Sequence, residues 1–199
     1  AAELAYIEQD DTAADETARE KAEDEDSKEA TIPFLQVFMY PQTWAVFFGK
    51  FLTDGVWWFF LFWTPAYITD VFKLSTSKGE GMLMIFVLYL ITMLSIYGGK
   101  LPSIFIDRAA RRGVTVDPYA ARMKAMFIFA LFPLLALLAQ PLSSVSSWMP
   151  IIIIGIAGAA HQSWSANIYS VVGDMFPKST IATIIGIGGM AGGIGSFLI

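Results

Sequence analysis

The chain has 199 residues, of which 55% are apolar and only 16% are charged, against roughly 25% charged residues in an ordinary soluble domain. Its formal charge of −5 is divided unevenly, because residues 1–31 hold 12 of the 18 acidic residues and only three of the 13 basic ones. The remainder is basic and strongly apolar, which argues against a soluble enzyme domain. The absence of cysteine excludes disulfides and thiolate metal sites.

Residues 1–31 are acidic and contain few large apolar side chains. Such a segment cannot bury enough apolar surface to offset the entropy lost on ordering, so we expect a disordered or loosely helical loop. The simplest interpretation is a solvated spacer without a specific partner. The chain starts without a methionine and stops inside an apolar run, and we therefore expect it to be a piece of a longer protein.

Long apolar runs with almost no amphipathic periodicity follow from residue 43 onward. A helix needs roughly 20 mostly apolar residues to cross a hydrocarbon core about 30 Å thick, and helices that are apolar all round are typical of membranes. We predict an all-α, polytopic membrane helix bundle over residues 32–199. Its predicted transmembrane helices are residues 43–68, 81–101, 124–142, 148–172 and 180–199.

The connecting segments predict the orientation of this bundle. The segment 100–124 carries six basic residues against two acidic ones, whereas 69–80 and 143–147 together carry two basic residues. Basic loops stay on the cytoplasmic side, so 100–124 and the acidic segment 1–31 are both predicted to be cytoplasmic. The expected location is the bacterial inner (plasma) membrane.

The first predicted span contains two charged residues, Lys50 and Asp54, in the stretch GKFLTDGVWWFFLFW. A lone charge in a bilayer core costs at least about 2.5–3.5 kcal/mol, and the spacing of four places both groups on one helix face, continued by Trp57. Either the pair neutralises itself or Lys50 extends to the interface, or the pair lines a partly aqueous cavity. In the cavity interpretation Lys50 binds an anion, and Asp54 restrains Lys50 or takes a proton.

A second polar cluster, HQSWSANIYS, lies in the fourth predicted span. Donors and acceptors beside aromatic rings suit a polyhydroxylated solute, and a histidine adds a protonation switch. The alternative is hydrogen bonding between helices, which is common in membranes and which we favour for Ser165. The candidate substrate-binding residues of this cluster are His161, Gln162, Trp164, Ser165 and Asn167.

The last predicted span, GIGGMAGGIGSF, is rich in glycine. Gly188 with Gly192, and Gly189 with Gly193, are pairs of small residues spaced to permit close helix contact. A match to a dinucleotide fingerprint here is weak, because no strand precedes it. The sequence shows no nucleophile–base set, metal cluster or nucleic-acid motif. We therefore expect no enzyme, cofactor, metal or nucleic-acid partner.

Three motifs in the same order resemble the C-terminal half of a major facilitator superfamily transporter, in the anion:cation symporter branch that includes bacterial sugar-acid carriers. They are GKFLTDGVWWFFLFWTPAYI, GGKLPSIFIDRAARRG and AHQSWSANIYSVVGDMFPKSTIATIIGIGGMAGGIG. The resemblance covers residues 32–199, so the predicted spans are expected to be helices seven to eleven of twelve. The segment 1–31 is then the loop that joins the two halves of the transporter.

The resemblance also implies roles for particular residues. The position of Lys50 and the segment 161–167 contact substrate in sugar-acid relatives, and a lysine at position 50 resembles the hexuronate carriers. A second set belongs to the superfamily's cytoplasmic loop motif, which latches the outward-open state by pairing with helix ends. This set is Gly98, Gly99, Asp107, Arg108, Arg111 and Arg112.

The implied function is proton-coupled uptake of a hexuronate, such as galacturonate or glucuronate, by alternating access. The expected partners are a small anionic solute, protons, the lipid bilayer and an N-terminal half of the same polypeptide. In the family that half carries the main substrate arginine and the acidic residues for proton coupling, so this chain alone is half a binding site. Alternatives are another organic anion, such as a dicarboxylate or a phosphate ester, or a non-transporting membrane sensor.

Overall fold

The computed structural model describes residues 32–198, and the predicted acidic loop 1–31 lies outside the described residues. The described part is helical, with two short 3₁₀ segments that interrupt longer helices. In chain order the elements are α1 (Phe34–Val37), α2 (Pro41–Phe72), α3 (Gly79–Thr92), a 3₁₀ turn (Met93–Tyr97), α4 (Lys100–Ala110), α5 (Pro118–Leu131), a 3₁₀ segment (Phe132–Leu138), α6 (Ala139–Leu142), α7 (Trp148–Met175) and α8 (Lys178–Phe197).

Local sequence explains where α2 and α5 begin and where α2 ends. Pro41 and Pro118 occupy the first turns of α2 and α5, where the missing N–H costs no hydrogen bond. The side chain of Asp117 caps α5 by accepting from the backbone N–H of Tyr119 at 3.2 Å. Helix α2 ends where Lys73 adopts a left-handed backbone conformation with φ of 58°.

Two predicted spans differ from the observed helices in detail. The apolar run at 81–101 continues through the 3₁₀ turn into α4 and ends only at Ala110, so the first part of the basic segment is helical. The run at 124–142 begins earlier, at Pro118, and changes to 3₁₀ geometry at Phe132. Pro133 explains this change, because it lacks the N–H that an α-helix would bond to the preceding turn.

Within residues 32–198, four helical stretches are long and apolar enough to cross a membrane, at Pro41–Phe72, Gly79–Ala110, Pro118–Leu142 and Lys178–Phe197. The fourth predicted span, 148–172, lies on α7, whose 28 residues are long enough but include the polar cluster HQSWSANIYS. The fold is therefore the expected all-α polytopic bundle, with its most polar long helix innermost.

Helix α7 is the centre of the bundle. It packs against α2, α3, α5, α6, α8 and both 3₁₀ segments, while α2 and α8 pack closely along each other. Fourteen residues of α7 are buried, among them Ile151, Ile168 and Val172. Large apolar side chains cover much of the outer surface, and Leu137 is 75% exposed and Phe197 88% exposed. An apolar exterior of this kind suits a hydrocarbon environment rather than water.

Candidate transport site

The side chain of Lys50 is buried between α2 and α7, and the residue is 3% exposed. Its Nζ lies 2.7 Å from Oδ1 of Asp54, one turn further along the same helix. The same ammonium donates to Oγ of Ser165 at 3.0 Å and lies 5.1 Å from the ring centroid of Tyr169. The Lys50 ammonium thus has a carboxylate, a hydroxyl and an aromatic face around it, and it does not extend out of the bundle.

Asp54 is the more accessible partner of this ion pair, with 19% of its side chain exposed. Helix α8 approaches it at Gly192, where an added Cβ would overlap the carboxylate. Gly195, one turn further along α8, faces the backbone carbonyl of Phe51 equally closely. The glycines of α8 therefore allow α8 to pack directly onto the face of α2 that carries the charged pair.

His161 lies one turn above Ser165 and also contacts α2. Its Nε2 is 2.7 Å from the backbone carbonyl of Thr53, and its ring stacks on Trp57 with centroids 6.2 Å apart. Because a carbonyl can only accept a hydrogen bond, Nε2 carries the proton in this contact. Nδ1 is then a buried acceptor, and it has no partner among residues 32–198.

The other predicted residues of α7 lie on different faces. Trp164 packs next to Gly49 of α2, while Gln162 is half-buried and forms no side-chain hydrogen bond within the described residues. Asn167 donates from Nδ2 to the carbonyl of Gly98 at 3.2 Å and to that of Ser163 at 2.8 Å. The amide nitrogen of Asn167 thus holds α7 to the start of α4, away from the Lys50 ammonium.

The structure therefore brings two groups of predicted residues together against α2. Lys50, Asp54 and Ser165 form one connected group, and Trp57 with His161 forms the neighbouring one. Two contributors were not among the predicted site residues, the ring of Tyr169 and the carbonyl of Thr53. Tyr169 had a signal in the sequence, since it shares its helix face with His161 and Ser165 at spacings of four. The carbonyl of Thr53 had none.

A sequence profile described as Major Facilitator Superfamily matches residues 5–199 of this chain. The chain belongs to the Major Facilitator Superfamily. Proteins named hexuronate transporter from Escherichia coli strains K12 and O157:H7 are similar to it, each 24% identical over 168 residues. These matches cover 82% of the chain but 36% of each relative, so the chain spans about a third of their length. No solved structure matches it.

Membership of this superfamily identifies a multi-pass membrane protein from a family of transporters. The residues expected to form the superfamily's cytoplasmic loop motif lie around α4. Gly98 is buried against Ser163, where an added Cβ would clash, and Gly99 is exposed. The remaining members are exposed on α4 or the turn after it, and none forms an ion pair within residues 32–198: Asp107, Arg108, Arg111 and Arg112.

A further ion pair lies near this loop. It was not predicted from the sequence. Nε of Arg122, in the first turns of α5, is 2.8 Å from Oδ2 of Asp174 near the end of α7. The Nε–H is not aimed at the carboxylate, so the contact is electrostatic rather than a well-formed hydrogen bond. Because the two residues are 52 positions apart, spacing along one helix gave no signal for the pair.

Proposed function

We propose that the full-length protein takes up a hexuronate, such as galacturonate or glucuronate, together with protons, by alternating access. The observation that carries the proposal is the buried ammonium of Lys50, held by Asp54 and Ser165 inside an apolar bundle. The similarity to proteins named hexuronate transporter supports the choice of substrate class. A site near the middle of the bundle is also where such folds bind their solutes between two halves.

The charge balance of the site supports coupling of anion entry to a proton. The pair of Lys50 and Asp54 is neutral, and adding an anion alone would leave one uncompensated negative charge in a poorly solvated interior. If Asp54 is protonated as the anion binds, the ammonium exchanges one carboxylate for another and the site stays neutral. Proton coupling at this pair thus avoids the desolvation cost of an unpaired charge.

The surroundings of the ion pair supply the features that a sugar acid needs besides its carboxylate. The Ser165 hydroxyl and the buried Nδ1 of His161 accept or exchange hydrogen bonds with hydroxyl groups. The rings of Trp57 and Tyr169 offer flat apolar surfaces beside these polar atoms. A small dicarboxylate would leave these ring faces unused, so the aromatic content favours a substrate with a sugar ring.

Uptake into cells tests this proposal. We expect cells that express the full-length protein to accumulate labelled galacturonate or glucuronate, and a protonophore to abolish the accumulation. Unlabelled hexuronate should compete with the label, whereas succinate and glucose 6-phosphate should not. Efficient competition by either of these would move the assignment to another organic anion. No uptake of either hexuronate would overturn the substrate assignment, and uptake that persists with the protonophore would overturn proton coupling.

A further inference from the structure

A groove of about 480 Å³ lies between α4 and the start of α5, apart from the Lys50 site. Its lining includes the apolar side chains of Phe105, Val114 and Val116. Among residues 32–198, three cations line it, Arg108, Arg112 and Lys124, and no acidic residue does. A groove lined by both apolar and cationic side chains is suited to an amphipathic anion.

Within the described part of the chain, no carboxylate lies at ion-pair distance from any of the three cations. The ammonium of Lys124 instead lies 4.9 Å from the ring centroid of Phe105. By contrast, Lys50 contacts a carboxylate oxygen of Asp54 at 2.7 Å, and Arg122 contacts one of Asp174 at 2.8 Å. Three like charges around one groove create a positive potential that favours an anion.

The position of the groove indicates which kind of anion binds there. It lies where two stretches able to span a membrane end and begin, Gly79–Ala110 and Pro118–Leu142, in the segment whose charges predict a cytoplasmic location. The cytoplasmic leaflet is rich in anionic lipids, and basic pockets between helices at this depth bind their headgroups. We propose that this groove binds an anionic phospholipid, with its phosphate among the three cations and its glycerol and upper acyl chain against the apolar side chains.

Net charge alone does not account for this arrangement. The positive-inside rule explains why the segment 100–124 is basic, but not why three of its cations line one groove. Arg111 is adjacent to Arg112 and is also exposed, yet it does not line the groove. This neighbouring pair of arginines therefore separates binding in the groove from general attraction to an anionic surface.

The test uses the purified full-length protein in detergent with dioleoylphosphatidylglycerol or dioleoylphosphatidylcholine added in increasing mole fraction. We expect phosphatidylglycerol, but not phosphatidylcholine, to raise the thermal unfolding midpoint in a saturable way. Loss of one cation near anionic lipid should raise the half-saturating fraction about fivefold. That change is expected for Arg112→Gln and for Lys124→Gln, whereas Arg111→Gln should titrate like the unmodified protein.

Several results would overturn the proposal. Equal shifts with both lipids, or equal titrations for Arg111→Gln and Arg112→Gln, would show that the groove does not select the lipid. An equal shift with inorganic phosphate would assign the groove to a free anion. A peptide of residues 1–31 could also be added to protein that lacks these residues. If the peptide raises the unfolding midpoint and phosphatidylglycerol does not, the groove is assigned to the acidic segment. If the variants do not fold, native mass spectrometry of the unmodified protein decides, because the proposal requires retention of phosphatidylglycerol over phosphatidylcholine.

Discussion

Lys50 and Asp54 neutralise each other in a place where neither is well hydrated. Breaking such a pair by removing one partner leaves a single buried charge, which typically costs about 3–5 kcal/mol, whereas removing both charges is often nearly neutral. This asymmetry allows the structural contribution of the pair to be measured separately from its contribution to transport.

The first prediction concerns Asp54→Asn, which keeps the shape of the side chain but leaves the Lys50 ammonium uncompensated. We expect the free energy of unfolding to fall by about 3 kcal/mol, and most of that loss to be recovered in Lys50→Gln/Asp54→Asn. Denaturant unfolding in detergent measures both values. Asp70→Asn, on the exposed end of α2, is the control and should change stability by less than about 0.5 kcal/mol. A double variant no more stable than Asp54→Asn would contradict this account of the pair.

At the scale of the helices, the glycines of α8 decide how closely it packs on α2. The sequence contains two pairs of small residues one turn apart, and one of these pairs packs against α2. Gly188 and Gly192 face α2, whereas an added Cβ at Gly189 or Gly193 would meet nothing within 4 Å. Only the contact face requires the absence of a side chain.

Alanine substitutions of the adjacent residues Gly192 and Gly193 are expected to change stability in opposite directions. In Gly192→Ala the new methyl group would overlap the Asp54 carboxylate, so we expect a loss of about 1–3 kcal/mol from overpacking. Gly193→Ala adds the same group on an open face and should gain up to about 1 kcal/mol from helix propensity. Thermal unfolding of the two purified variants beside the unmodified protein measures the difference. Equal effects of the two substitutions would show that α8 does not approach α2 through this face.

At the scale of the whole molecule, the bundle surrounds its most polar long helix with more apolar ones. Charged loops then lie at the two ends of the bundle, with most of the basic residues at one end. The predicted orientation depends on this asymmetry, with the segment 100–124 in the cytoplasm and 69–80 on the opposite side.

Cysteine labelling tests this orientation, helped by the absence of cysteine from the chain. In an otherwise cysteine-free full-length protein, Ser77→Cys should react with a membrane-impermeant maleimide added to intact cells. Thr115→Cys should react only after the membrane is permeabilised. Both positions are exposed in loops, so access to the reagent depends on the side of the membrane. Labelling in the reverse pattern would invert the predicted topology.

The sequence predicted the features that depend on helical periodicity and composition. The spacing of Lys50 and Asp54 predicted their contact, and the repeat of four placed His161 and Ser165 on one face. The long apolar runs predicted the helical bundle, because length and hydropathy are local properties. Features that depend on how two helices are positioned against each other could not be predicted. Three features belong to this class: the contact of His161 with the carbonyl of Thr53, the packing of Gly192 rather than Gly193 against α2, and the pair of Arg122 and Asp174.

We propose that the buried ammonium of Lys50 binds the carboxylate of a transported sugar acid. The most direct test is uptake of labelled galacturonate and glucuronate by cells expressing the full-length protein or the charge-neutral variant Lys50→Gln/Asp54→Asn, with equal amounts of folded protein in the membrane. We predict accumulation with the unmodified protein and at least a tenfold loss with the variant, although the variant remains folded. Equal uptake by the two proteins would show that the ion pair is structural and that the anion binds elsewhere.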